Sequence, residues 1–250
     1  MKKINPEKYL YQINMLSTFY SYYKIMYKNE HIRNEIKKQD LKNMYNTAKS
    51  IKSLKIDAQD FVSNFRKNIE LNADKNINKG IDFLRQQILV SAFSIFENYL
   101  CHVVKIYLNV FPTILKESKK SIDFKEIVDL KDNNSIFQHI ITKEVIYFDR
   151  MSLEKKKKYL TKKLKLTKQD DLWKLNGKEL WKEINNQRDL IVHSDELIEL
   201  NEEQLSSYLI YFERIMFGMT FYAKIDQGVD FIWEKVSEQI PGKERPTLKR

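Results

Sequence analysis

From Ile88 to Phe111 the chain is apolar on nearly every side of a helix, with the small residues Ser91, Ala92 and Ser94 set among large ones. A helix without a broad polar face belongs at the centre of a fold, covered by other elements. Its polar exceptions, Glu97, Asn98, His102, Lys105 and Asn109, therefore need partners or a purpose. The covering elements are helices too. Five glycines and four prolines in 250 residues are too few to punctuate a multi-strand β fold. Hydrophobic residues make up 42% of the chain, enough for a sizeable core. No uninterrupted apolar run reaches the ~18 residues of a membrane span. Met1–Lys8 is polar and does not read as a signal peptide. Cys101 is the single cysteine, so no disulfide forms within the chain, which fits a reducing cytoplasm. The expectation is an all-α, cytoplasmic protein with no membrane partner.

Helical periodicity divides the chain further. Leu10, Ile13, Leu16, Tyr20, Tyr23 and Tyr27 recur at three- and four-residue steps and predict a first helix from Pro6 to about Lys28. A second, mostly polar helix is expected over about His31–Lys52. A third, capped by Asp57, is expected over about Ala58–Leu71. The polar segment Asn72–Lys79 before Gly80 marks a soft boundary, giving an accessory region over 1–79, a helical bundle over 80–226 and a basic tail over 227–250. Within the bundle, Pro112 is compatible with a stop, and Lys116–Asn134 reads as irregular with at most a short helix near Phe124–Leu130. Helices are expected over Ser135–Tyr147 and, after a Ser152 cap, over Leu153–Leu166. Asn176-Gly177 marks a turn before a helix over Lys178–Val192. Asn201 with Gln204 forms a capping-box pattern that opens a last helix to about Lys224. Pro241, Gly242 and Pro246 interrupt the tail, which is expected to be disordered.

The residues that suggest chemistry lie in Trp181-Lys-Glu-Ile-Asn-Asn-Gln-Arg188-Asp-Leu-Ile-Val-His193-Ser194. Arg188 and His193 stand about 140° apart around an ideal helix and ~7.5 Å apart along it. They converge only if the helix ends or distorts near His193, or if the arginine wraps round. Asp189 is four residues before His193, on its face, where a carboxylate can orient the ring and favour its charged form. Histidine can take the 2′-hydroxyl proton of RNA or supply one to the leaving oxygen. A guanidinium can hold the scissile phosphate and offset developing charge. Spacing alone is a weak signal, since chance produces such a pair in about one chain in eight of this composition. The plain alternative is a helix-end arginine in a salt bridge and a histidine beside the last carbonyls.

Context adds to the spacing. Arg188-Asp-Leu-Ile-Val-His193 near a helix end, followed by a final long helix, resembles the HEPN superfamily, whose domains carry Arg, four residues and His. Ala92-Phe-Ser-Ile-Phe-Glu97-Asn-Tyr-Leu is similar to that family's earlier core helix, which often bears an acidic residue. The resemblance covers roughly Ile81–Lys224. It implies an up-and-down helical bundle, a metal-independent endoribonuclease without cofactor, paired subunits sharing one cleft, and a toxin or anti-phage role. It assigns Arg188 to the phosphate, His193 to acid–base work and Asp189 to orienting His193. Glu97, a carboxylate in an apolar helix, requires a partner, and Arg188 is the expected one.

With a net charge of +10 the chain suits a polyanionic partner. Lys155, Lys158, Lys162 and Lys165 form an outward stripe opposite Leu153, Leu160 and Leu164, a solvated face or a phosphate track for RNA. Tyr147, Phe148 and Trp173 flank it as base-stacking or core residues. His102 and His139 read as ordinary residues of apolar helices, and no Cys/His spacing suits zinc. The reading is therefore a homodimeric HEPN-like ribonuclease, with an antitoxin or regulatory protein as a further partner. Its rivals are a non-catalytic RNA- or nucleotide-binding module of the same fold and a helical antitoxin or complex subunit.

Overall fold

A computed structural model of the chain describes residues 6–51, 57–117, 130, 132–166, 170–174, 180–194 and 198–229. Among these residues every regular element is helical, so the protein is all-α. The helices are α1 (Pro6–Lys28), α2 (Glu30–Ser50), α3 (Ala58–Val110), α4 (Asn133–Asp149), α5 (Leu153–Lys158), α6 (Leu180–His193) and α7 (Glu202–Gln227). Short 3-10 turns follow α3 at Pro112–Glu117 and precede α6 at Asp170–Trp173. The turn read at Asn176-Gly177, the helix read near 124–130 and the tail from 230 on lie outside the described residues.

The expected apolar helix is the axis of the molecule. Along its second half, Leu89, Ala92, Phe96, Tyr99, Leu100, Val103, Val104, Tyr107 and Leu108 are all buried. Ser91, Ser94, Asn98, His102 and Lys105 are exposed, and their steps of three and four draw one narrow polar stripe down an otherwise covered helix. The segment Lys75–Val110 is long and apolar enough to cross a membrane by length and composition, and half of its most apolar window is buried inside the protein. The sequence count missed this because scattered polar residues interrupt the apolar run.

Cross-contacts fix the directions of three helices, α1, α4 and α7, that pack along this axis. Tyr20 meets Arg85 while Tyr9 packs edge-on against Tyr99, so α1 runs opposite to α3. Phe96 stacks on Phe212 at 4.8 Å and Tyr99 Oη donates to the Met216 carbonyl at 2.8 Å, while Gln86 reaches the Ile198 carbonyl just before α7. Hence α7 runs with α3. Gln138 meets Asn109 and Asp149 meets Cys101, so α4 runs against it. Truncating a ring such as Phe96 in this core typically costs about 3–5 kcal/mol.

The structure departs from the sequence reading at 72–79. The two helices expected on either side are one, a 53-residue α3 that passes through Gly80 without a break. A single helical glycine costs only about 1 kcal/mol, and α2 packs alongside to support the polar stretch. Asp57 caps the start as expected, accepting from the Gln59 amide at 2.7 Å. α1 and α2 are separated by Asn29 alone, whose side chain caps α2 by accepting from the Ile32 amide. Burial fades away from the bundle: between Ala58 and Lys79, Ile77 is the buried residue among those whose side chains are described.

A second departure concerns the lysine-rich segment. Instead of a single helix over Leu153–Leu166, α5 gives way to a π-helical turn over Tyr159–Lys163. The Leu164 amide then donates to the Tyr159 carbonyl, five residues back, and the Leu166 amide to that of Leu160. Lys165 sits beyond the helix at φ 53°, in the left-handed region. Gln227 at the end of α7 holds this corner by donating to the Lys165 carbonyl at 2.8 Å. Asn201 and Gln204 form the expected reciprocal capping box at the start of α7.

Candidate functional site

α6 forms as its apolar spacing predicts. Trp181 and Ile184 are buried, Leu180 and Ile191 pack against the core, and the helix stays regular through His193. Because it neither ends early nor distorts, Arg188 and His193 keep the wide angular separation expected of an ideal helix. Arg188 leans toward α3, where its guanidinium lies 5.5 Å from the centre of the Phe93 ring, a cation–π contact. Its Nη1 also donates to Asp189 Oδ1 at 2.8 Å, leaving the side chain 32% exposed. His193 is exposed and makes no hydrogen bond or ion pair with another described residue.

Asp189 therefore does not orient His193. Its Oδ1 accepts from Arg188 and its Oδ2 from Asn185 Nδ2 at 2.9 Å, which occupies both oxygens. The closer partners win: Asn185 is one turn back on the same helix, and the long arginine wraps round to its neighbour. Asp189 nevertheless lies with Asn186, Leu190, His193 and Ser194 along an open depression of about 540 Å³. The carboxylate thus ties Arg188 to the edge of the surface that His193 lines.

Glu97 is not the partner of Arg188. It pairs with Lys156 of α5, whose side chain is 2% exposed. Phe93, Glu97 and Cys101 follow one another at four-residue steps along α3. Arg188 covers the first, Lys156 binds the second, and the Cys101 thiol donates to Asp149 Oδ1 at 3.4 Å beside the third. Burial, and then the Asp149 carboxylate, push the Cys101 thiol up to about 12, which favours the protonated form over the nucleophilic thiolate. The Arg188 and Glu97 environments are neighbours one turn apart, about 6 Å along α3, but each is closed by its own partner.

The basic segment splits into two faces. Lys155, Lys158, Lys162 and Lys165 are exposed, and Leu153, Leu160 and Leu164 are buried. Lys158 pairs with Glu154 at 3.1 Å, and Lys165 belongs to the corner after the π turn rather than to a helical stripe. Lys156, Lys157 and Lys163 point inward, a feature the sequence reading missed. Lys163 pairs at 2.8 Å with Glu144, which is buried and also accepts from Tyr159 Oη at 2.9 Å. Burial and that carboxylate raise the Tyr159 phenol. The Lys157 ammonium lies 5.7 Å from the Trp173 ring and 5.9 Å from the Trp181 ring. The signal for Lys156 and Lys163 was the presence of Glu97 and Glu144 in apolar helices, since a carboxylate there demands a cation.

Of the flanking aromatics, Phe148 and Trp173 are core residues and Tyr147 is half-exposed. His102 lies on the exposed stripe of α3 against the edge of Tyr9, and burial with nearby Lys105 and Lys8 lowers its pKa. His139 is partly buried. Among the described residues no three His, Cys, Asp or Glu side chains gather as a metal site. Compared with family models, with curated proteins and with solved structures, the chain finds no match.

Proposed function

We propose that the protein is a metal-independent endoribonuclease that cleaves RNA through attack of the substrate's own 2′-hydroxyl. The observation that carries this reading is His193, exposed at the end of α6 along an open depression with the Asp189-tethered Arg188 at its edge. In this reaction the 2′ oxygen bonds to the adjacent phosphorus and the bond from phosphorus to the 5′ oxygen breaks. The product ends are a 2′,3′-cyclic phosphate and a 5′-hydroxyl. His193 takes the 2′ proton or protonates the departing oxygen, and its counterpart in a paired subunit takes the other role. Arg188 keeps Asp189 on Nη1, turns its other N–H donors to the phosphate and offsets its growing charge. A toxin or anti-phage role in the cytoplasm, restrained by a partner protein, follows from the same reading. In this scheme Glu97 acts through structure, holding Lys156.

Purified protein in a chelator is expected to cut single-stranded RNA, leaving cyclic phosphate ends. His193→Ala and Arg188→Ala should each slow cleavage on the order of 10²-fold or more, with melting temperatures close to that of the parent. Equal cleavage by both variants would remove these residues from the chemistry.

A second reading, a helical interaction subunit, is favoured by one observation. Ile210, Phe217, Phe221 and Ile225 are exposed on the side of α7 opposite its buried face, and Met15, Phe19, Tyr22 and Met26 form an exposed apolar stripe on α1. Such stripes suit a protein partner. Isolation as a stoichiometric complex with a different chain, with no RNA cleavage after the two are separated, would favour this reading over the nuclease.

A further inference from the structure

Four residues share the solvent face of α6: Lys182, Asn186, Asp189 and His193, at steps of four, three and four. The last three line the open depression, and Leu190, 52% exposed, adds an apolar wall beside His193. At the other end of the helix, two ammonium groups from different elements meet at one indole. Lys182 Nζ is 5.5 Å from the Trp181 ring and Lys157 Nζ, from α5, is 5.9 Å from it. The one carboxylate on this face, Asp189, is paired with Arg188 and hydrogen-bonded by Asn185, which reduces its repulsion of a phosphate strand. Glu183, next to Lys182, is turned to another side of the helix, where it accepts from Tyr208 Oη at 2.5 Å.

Resting on the nuclease reading, we infer that a single RNA strand lies along the outer face of α6. In this arrangement Lys157 and Lys182 hold a phosphate at Trp181, Asn186 bonds the backbone midway, and the scissile linkage sits at His193. Eleven residues of helix separate Lys182 from His193, about 16 Å. That span takes about five nucleotides of a stacked strand at 3.4 Å each, and fewer of an extended one. The outward lysines Lys155, Lys158 and Lys162 lie on other sides of α5 and the π turn and do not belong to this track. Lys157, which points toward α6, is the residue that joins the basic segment to the site.

The test is fluorescence anisotropy with a labelled strand of ten 2′-O-methyluridines, which lacks the attacking hydroxyl and cannot be cut. It compares wild-type protein with Lys157→Gln/Lys182→Gln and with Lys155→Gln/Lys158→Gln/Lys162→Gln. The double variant is expected to weaken binding about tenfold and to lower the dependence of log K on log salt by about 1–2, while the triple variant changes binding less than twofold. Lys182→Glu, at an exposed position, guards against a folding defect at Lys157 and should weaken binding further. Unchanged binding by the double variant, or a larger loss in the triple, overturns the track while leaving the nuclease reading to its own cleavage assay. If wild-type protein neither binds this strand nor cuts its unmodified counterpart, both fall.

Discussion

Lys156 and Lys158 stand two residues apart in α5 and occupy different media. The Lys156 side chain is 2% exposed and bound to Glu97, whereas that of Lys158 is 62% exposed and paired with Glu154 across one turn. Both are lysine–carboxylate pairs, and a list of salt bridges would treat them alike. Their energetics differ because removing one partner from a buried pair strands a charge in a medium that solvates it poorly. An exposed pair is replaced by water at almost no cost. A run of lysines is therefore neither a binding face nor a structural lock as a whole. Each residue takes its role from what stands opposite it on α3, α4 or α6.

The comparison breaks most decisively at Lys156. Lys156→Ala is expected to destabilise the fold by about 1–3 kcal/mol, since the Glu97 left behind is partly reached by water, measured by urea denaturation, whereas Lys158→Ala should stay within about 0.5 kcal/mol of the parent. Equal losses from the two would show that burial is not what separates them. Glu97→Leu combined with Lys156→Met should recover most or all of the loss, since a well-packed apolar pair often equals a buried ion pair. A smaller effect is expected at Lys165, where a side chain occupies a left-handed position that glycine adopts without penalty. Lys165→Gly should raise stability by about 1 kcal/mol, and its loss of charge should leave binding of the methylated RNA strand unchanged.

The smallest effect concerns a half-buried acid without a cation. Burial raises the Glu213 carboxyl above its ordinary value. Its folded-state pKa then exceeds the unfolded one, so ionisation disfavours folding, and the penalty is fully present above the folded pKa and absent below the unfolded one. Glu213→Gln should therefore raise the melting temperature slightly at neutral pH, with the gain vanishing as the pH falls below the ordinary glutamate range. A gain that persists in acid would assign the effect to packing instead.

Much of the fold was legible because local signals agreed with the tertiary arrangement. Pro6, Asp57 and the Asn201–Gln204 box mark helix starts, and at Asp57 and Asn201 the caps form. The all-apolar run after Ile88 identified the central helix before any coordinate was known. The continuity of α3 through 72–79 was not legible, because polar residues and a glycine read as punctuation when the helix packed alongside is unknown. The π turn was hidden for a related reason. Within it Tyr159 and Lys163 both bind Glu144, a partner that lies on α4 and outside the segment's own pattern.

At the candidate site, spacing correctly placed Asp189 and His193 along one surface. It could not rank the competitors for each charge. Asn185 and Arg188 take the carboxylate meant for His193, and Lys156 takes the one meant for Arg188. The inward turn of Lys157 toward Trp181 follows from where α5 meets α6, which no pattern within either segment contains.

The 53 residues of α3 amount to a rod about 80 Å long. Its second half is enclosed by the bundle, and the same unbroken backbone carries Phe93 and Glu97 beneath Arg188 and Lys156. Because one unbroken backbone carries both, Phe93 and Glu97 shift together, and any displacement of the seat under one cation is felt under the other.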